Sequence, residues 1–192
     1  MNRIDNYRFY ASGIIEHGFT PQGLHWHSQD SQQIRFDQLL SLLPNNVISI
    51  VDAGCGFGDL YHYITQRGDK SIENYIGLDS LDMMVHEASI RTGQTIMQCD
   101  ILCDPLPEAE YYLCSGALNI LTREGAFLFI ERCLHASMQG MIFNFLEGDK
   151  ESKTYNYLRE ESIRNLARRL KAEVVFRRNY YQRDCTAAFY KK

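Results

Sequence analysis

The sequence holds no CxxC pair, although six of its 192 residues are cysteine, and no histidine stands near a cysteine at the spacing of a zinc site. Cys99 and Cys103 flank a polar loop, but two lone thiols make a poor metal site, so no metal is expected. No apolar run approaches the roughly 20 residues that a membrane span requires. The N-terminal stretch MNRIDNYRFYASG lacks the apolar centre of a secretory signal. A cytoplasmic location with reduced structural thiols is therefore expected, since disulfide frameworks belong to small secreted chains. Excess positive charge is missing too. The net charge of −4 gives the molecule as a whole no electrostatic reason to bind nucleic acid or an anionic membrane. Internal repeats, low-complexity tracts and linkers are absent, so residues 1–192 are expected to form a single domain.

Strand-like and helix-like segments alternate along most of the chain. Phe36, Leu39, Leu40 and Leu43 fall at i, i+3, i+4 and i+7, and Pro44 then stops the helix. VISIV (47–51) reads as a buried strand, and a helix over 59–67 closes at Gly68. YIGLD (75–79) is a second strand, whose helix carries Leu81, Met84, Val85 and Ala88 on one face. TIMQC (95–99) and YYLC (111–114) follow as strands three and four. The next helix presents Ala126, Phe129, Ile130 and Cys133, with Thr122 as its cap. MIFNF (141–145), a helix with Ile163, Leu166, Ala167 and Leu170, and the strands EVVFR and TAAFY complete the pattern. Seven strands interleaved with helices define an α/β fold with a mostly parallel sheet and helices on both faces.

Between the first strand and its helix lies VDAGCGFGD, with Gly54, Gly56 and Gly58 alternating. In an open α/β sheet, ligands lie at the carboxyl ends of the strands, so this turn is the default site. A dinucleotide fingerprint G-x-G-x-x-G counted from Gly54 needs a glycine where Asp59 stands; counted from Gly56 it needs one where Tyr61 stands. An aspartate at the helix start is expected to cap the orphan N–H groups and to repel a phosphate. The turn therefore suits a nucleoside without an anionic linkage. Asp52, Asp79 and Asp100 each end one of the first three strands, so three carboxylates are expected to face one crevice.

IVDAGCGFGDLYHYI, YIGLDSLDMMVHEA and IMQCDI resemble the first three motifs of the class I S-adenosylmethionine-dependent methyltransferases over about residues 45–146. The resemblance implies a Rossmann-like methyltransferase fold, with residues 1–44 as an N-terminal helical lid and 45–192 as the core. The cofactor it implies is S-adenosyl-L-methionine. Asp52, Gly54 and Gly56 would then line the methionyl part, with Asp52 beside the ammonium group. Asp79 would hold the ribose, and Leu81 or its neighbour would pack on adenine. Asp100 and the Ile101 backbone would read the adenine edge, while Ser115 and Gly116 would lie under the sulfonium. Arg35 is either a solvated helix position or a contact to the cofactor carboxylate. An NAD-linked oxidoreductase and a methyltransferase-like scaffold that does no chemistry are the competing readings.

The acceptor is the least constrained part of the sequence. Methyl transfer from a sulfonium is an in-line displacement that depends on positioning more than on acid–base help. SGAL (115–118) replaces the N/D-P-P-Y of amino-methylating nucleic-acid enzymes. No Pro-Cys pair supplies a cytosine-directed nucleophile, and Ser115 stands where catechol-type enzymes place a metal-binding aspartate. The double-glutamate loop of arginine methyltransferases is missing. What remains is a metal-independent enzyme with a small-molecule acceptor. GLHWHSQDSQQIRF (23–36) would form the lid, and His25 or His27 is the preferred general base, or else both are surface residues. Asn119 and Tyr155 to Tyr157 are placed to face an acceptor, whereas Asn144 would need a partner in the helix layer. Residues 151–192 hold 11 Lys and Arg against 5 Asp and Glu. A solvated helix face and edge strand account for that excess, so nucleic acid is not the expected partner, nor is a membrane. Oligomeric state leaves no mark in the sequence.

Overall fold

The computed structural model describes residues 5–192, so the first four residues of the expected lid lie outside the described residues. The lid begins with a helix that sequence periodicity did not show, α1 (Asn6–His17). The Asp5 carboxylate accepts from the Arg8 amide at its start, and Gly18 ends it at φ +66°. A 3-10 turn (Pro21–Leu24) leads into α2 (Gln29–Leu42). Ser28 and Ser31 there exchange side-chain and backbone bonds, satisfying two amides that the helix leaves free.

The core runs β1 (Asn46–Ala53), α3 (Asp59–Arg67), β2 (Ser71–Asp79), α4 (Asp82–Thr92), β3 (Thr95–Gln98) and β4 (Ala109–Cys114). It continues through α5 (Arg123–Ala136), β5 (Ser137–Glu147), β6 (Tyr157–Leu158), α6 (Glu160–Arg169), β7 (Glu173–Arg177) and β8 (Asp184–Tyr190). Thr122 caps α5 as expected, its side chain accepting from Gly125 N. The seven expected strands lie in the order β3-β2-β1-β4-β5-β8-β7, and the two-residue β6 adds an eighth beside β5. All neighbours are parallel except β8, which runs antiparallel to both β5 and β7.

Successive residues of a strand point to opposite faces, and this sorts the core into two layers. Ile50, Leu113, Ile142 and Ala188 face α2 and α3, packing on Phe36, Leu39, Leu40, Leu60 and Ile64. Their neighbours Val51, Tyr112, Cys114, Met141, Phe143 and Phe189 face the other way. Against that side pack the apolar stripes of α5 (Ala126, Phe129, Ile130, Cys133) and α6 (Ile163, Leu166, Ala167). In α4, Met84 and Ala88 are buried, whereas Leu81 at its N-cap lines a cavity instead of the core. The strand order turns back between β1 and β4, so the loops at their carboxyl ends diverge and leave a crevice.

Candidate functional site

That crevice is a cavity of about 390 Å³, within the range of small-molecule and cofactor pockets. Every residue expected to bind cofactor or act as base lies on its wall. Asp52, Gly54, Gly56 and Asp79 form the floor, with Leu81, Asp100 and Ile101 on one side and Ser115 on the other. His25, His27 and Arg35 reach it from the lid and α2.

The floor is built by one turn and the end of a neighbouring strand. Gly54, Gly56 and Gly58 have φ of +79°, +55° and +79°, a region that non-glycine residues avoid. The amides of Gly54 and Cys55 both donate to the Leu78 carbonyl at 2.8 and 3.0 Å, and the Gly58 amide donates to Cys55 O. The Gly56 amide donates to Asp79 Oδ2 at 3.0 Å, while the other oxygen of that carboxylate takes the Leu81 amide at 3.1 Å. Asp79 thus ties the β1–α3 turn to the β2–α4 turn. Four amides of the turn are engaged inside the protein. A Cβ at Gly54 would stand 2.6 Å from Ala117 Cβ, and one at Gly56 3.1 Å from Leu24, so the room at these glycines is taken up by protein.

Asp59 departs from expectation. It is the first residue of α3, not its cap; the N-cap is Gly58, and no side chain caps the helix. Its carboxylate instead accepts from Gln32 Nε2 at 2.9 Å and pairs with Arg91 at 2.8 Å, linking α2, α3 and α4. With its charge matched by Arg91, Asp59 is a weak barrier to phosphate. The engaged turn amides are the stronger one, because a diphosphate binds through free amides.

Asp52 is buried, and Tyr75 OH donates to its Oδ2 at 2.7 Å. Burial pushes its carboxyl up to about 7; the Tyr75 bond opposes the shift, and Asp79 and Asp59 add to it. Burial likewise raises Asp79, against the pull of the backbone amides of Leu81, Gly56 and Ser80. Asp100 is exposed, its Oδ1 taking the Leu102 amide at 2.9 Å. Ser115 donates to Asn144 Oδ1 at 2.8 Å, and Asn144 Nδ2 donates to Thr186 Oγ1 at 2.7 Å. Asn144 therefore finds its partners across the β4, β5 and β8 strands, where the expectation had been the helix layer.

Arg35 is not solvated. Its guanidinium is buried, 2.6 Å from Asp184 Oδ2, and lies over the rings of Trp26 and Tyr181. Its Nε is a buried donor with no hydrogen-bond partner among the described residues. His25 stacks flat on Phe9 at 3.8 Å, with Nε2 2.8 Å from the Phe9 carbonyl. A carbonyl only accepts, so the neutral ring carries its proton on Nε2 and its lone pair on Nδ1. The ring thereby fastens α1 to the 3-10 turn. His27 is exposed on the cavity wall.

Asn119, Tyr155 and Tyr157 line the cavity, as their loops suggested, and Asn119 Oδ1 is buried without a partner among the described residues. Sequence reasoning missed Tyr10 and Tyr181. Tyr10 sits in a segment without helical period, and burial raises its hydroxyl, helped by Asp79. Tyr181 belongs to the β7–β8 hairpin, where Asn179 and Gln182 take positive φ as the chain turns back.

These features define a class: the protein has the Rossmann-like fold of class I methyltransferases. A TehB-like S-adenosylmethionine-dependent methyltransferase of Corynebacterium glutamicum superposes with a TM-score of 0.65 at 16% identity, covering 97% of each chain. Magnesium protoporphyrin IX methyltransferase of Synechocystis PCC 6803, crystallised with bound S-adenosylmethionine, gives a TM-score of 0.64 at 17% identity, covering 80% of this chain and 74% of that one. In sequence, the chain is 34% identical over 111 residues to a Mycobacterium tuberculosis protein named "Putative methyltransferase Rv1506c". That match takes in 51% of this chain and 63% of the relative, so the chain spans less than two thirds of that protein's length. No protein-family profile matches the chain.

Proposed function

We infer that the protein is a metal-independent methyltransferase that binds S-adenosylmethionine and methylates a small molecule. One observation carries this reading: two carboxyls, the buried Asp52 and the half-buried Asp79, close the floor of a ligand-sized cavity at the sheet's switch point. Burial raises both carboxyls, and a cation bound beside them favours their ionised form, so the floor fits a positively charged ligand. When bound, the cofactor supplies an electrophilic methyl group on its sulfonium sulfur. Asp52 would pair with its ammonium group, and Arg35 Nε would donate to its carboxylate. Asp79, with lone pairs left beyond its two amide bonds, would accept from the ribose hydroxyls. Leu81 would pack on adenine, Asp100 and the Ile101 backbone would read its edge, and Ser115 would lie beneath the sulfur. Residues 5–44 would act as the lid that excludes water, in one domain with the core. Tyr10, Trp26 and Asn119 would orient the acceptor, and His27 or the free Nδ1 of His25 would take up its proton where one is released. Six free thiols fit a reducing cytoplasm.

Calorimetric titration with S-adenosylmethionine, S-adenosylhomocysteine and NADH tests the reading. Both adenosyl ligands should bind, and Asp79→Ala should weaken them by about tenfold or more, about 1.4 kcal/mol. Absence of heat from both would leave a non-catalytic scaffold, and tight NADH binding an oxidoreductase.

A further inference from the structure

The cavity has a second chamber of opposite charge. A cavity of about 490 Å³ adjoins the first, and Arg35, Leu146, Tyr157 and Gln182 belong to both walls. The first is lined by four carboxyls, Asp52, Asp59, Asp79 and Asp100. The second is lined by Lys150 and Arg183 at its rim, and its sole carboxylate, Asp184, is already matched by Arg35. Neither Lys150 nor Arg183 has an ion-pair partner among the described residues; the Lys150 ammonium lies 5.9 Å over the Tyr157 ring. The wall of the first chamber carries aromatic rings, Tyr10 and Trp26 from the lid, Tyr155 before α6 and Tyr181 from the hairpin, and Tyr157 is shared by both chambers.

We propose that the methyl acceptor is a small planar molecule bearing an anionic group, carboxylate or phosphate, held between Lys150 and Arg183 in this side chamber while its ring lies along Tyr155, Tyr157 and Tyr181. The assignment rests on the cofactor reading above and adds the acceptor's chemical class to it. Charge decides which ligand enters which chamber. The two unpaired cations attract the anionic group into the side chamber, so its opposite end is directed toward the first cavity. Flat rings give the body of such a molecule its contact area. Single-stranded RNA also offers planar bases and phosphates, but four arginines of residues 151–192 are already paired with carboxylates. Arg164 and Arg178 share Glu160, Arg169 pairs with Glu131, and Arg159 pairs with Asp149.

The full chain, saturated with S-adenosylhomocysteine, is titrated with 4-hydroxybenzoate, 4-hydroxyphenyl phosphate and the neutral 4-hydroxybenzamide, and binding is followed by calorimetry and ligand-observed NMR. At least one acid should bind about tenfold more tightly than the amide, about 1.4 kcal/mol, and whichever acid is preferred identifies the anion. The preference should vanish in Lys150→Ala/Arg183→Ala and in the charge reversal Lys150→Glu. Both side chains are exposed, and retained S-adenosylhomocysteine affinity reports an intact fold. Equal binding of acid and amide, no binding of either acid at millimolar concentration, a preference that survives the double variant, or displacement of the acids by a short oligoribonucleotide overturns the assignment. A wild-type chain that does not bind S-adenosylhomocysteine overturns the cofactor reading instead, and is seen in the first titration.

Discussion

Asp52 carries the sharpest consequence of a single residue's environment. Its carboxyl titrates near 7 in the folded chain and near 3.8 when exposed. Between those values the native protein holds a proton that the unfolded chain has lost. Its contribution to stability therefore declines as pH rises through that window. Ligand binding has the opposite sign, because an ammonium group needs the ionised form. Affinity for S-adenosylhomocysteine should rise several-fold between pH 6 and 8, with proton release on binding, and calorimetry in buffers of different ionisation enthalpy measures both. Asp52→Asn should flatten the pH profile of binding and of the denaturation midpoint. A profile that keeps its slope in this variant places the titrating group elsewhere.

Among the elements, α3 and α4 meet closely at the glycine that precedes α3. A Cβ at Gly58 would overlap Thr92 Cγ2 and touch Ala88 of α4, on a backbone at φ +79°. Gly58→Ala should therefore destabilise the protein by about 2–3 kcal/mol, part overlap and part backbone strain. Thr92→Ser keeps the hydroxyl that donates to Ala88 O and accepts from the Gln94 amide, and removes the obstructing methyl. Adding it to Gly58→Ala should recover the overlap but leave about 1 kcal/mol of strain, measurable by urea denaturation of the four chains of a double-mutant cycle. Full recovery would mean that the positive φ costs nothing here.

Across the whole molecule, the Arg35–Asp184 pair joins α2 to the start of the last strand. Both side chains are nearly inaccessible, 10% and 2% exposed, so the pair is unscreened and its loss one-sided. Arg35→Met strands a buried carboxylate and should destabilise by about 3–5 kcal/mol at neutral pH. Burial already raises Asp184 and Arg35 lowers it again, so the variant should lose stability progressively as rising pH ionises the unpaired acid. Arg35→Met/Asp184→Asn should regain much of the loss. Chemical denaturation at pH 5 and pH 8 checks both expectations; a pH-independent deficit would point to lost stacking on Trp26 and Tyr181 instead.

The fold was legible because strands and helices announce themselves locally. Apolar runs such as VISIV and YYLC, stripes such as Ala126–Phe129–Ile130–Cys133, and glycine stops at Gly68 are all properties of neighbouring residues. The positions of Asp52, Asp79 and Asp100 were legible for the same reason, since each ends a recognisable strand. The helix α1, which lacks such a stripe, was not. What lies across the sheet was also hidden: that Arg35 meets Asp184, that Asn144 meets Ser115 and Thr186, and that Tyr10 and Tyr181 share a wall with Tyr155. Asp59 shows how fine the limit is, for a cap and a first helical residue differ by one position. The sequence alone determined the layers and the acidic floor, because periodicity is written in adjacent residues. The tertiary structure decided which charges are neutralised and where a cation stands free, because only folding brings distant side chains within ångströms and removes the water between them.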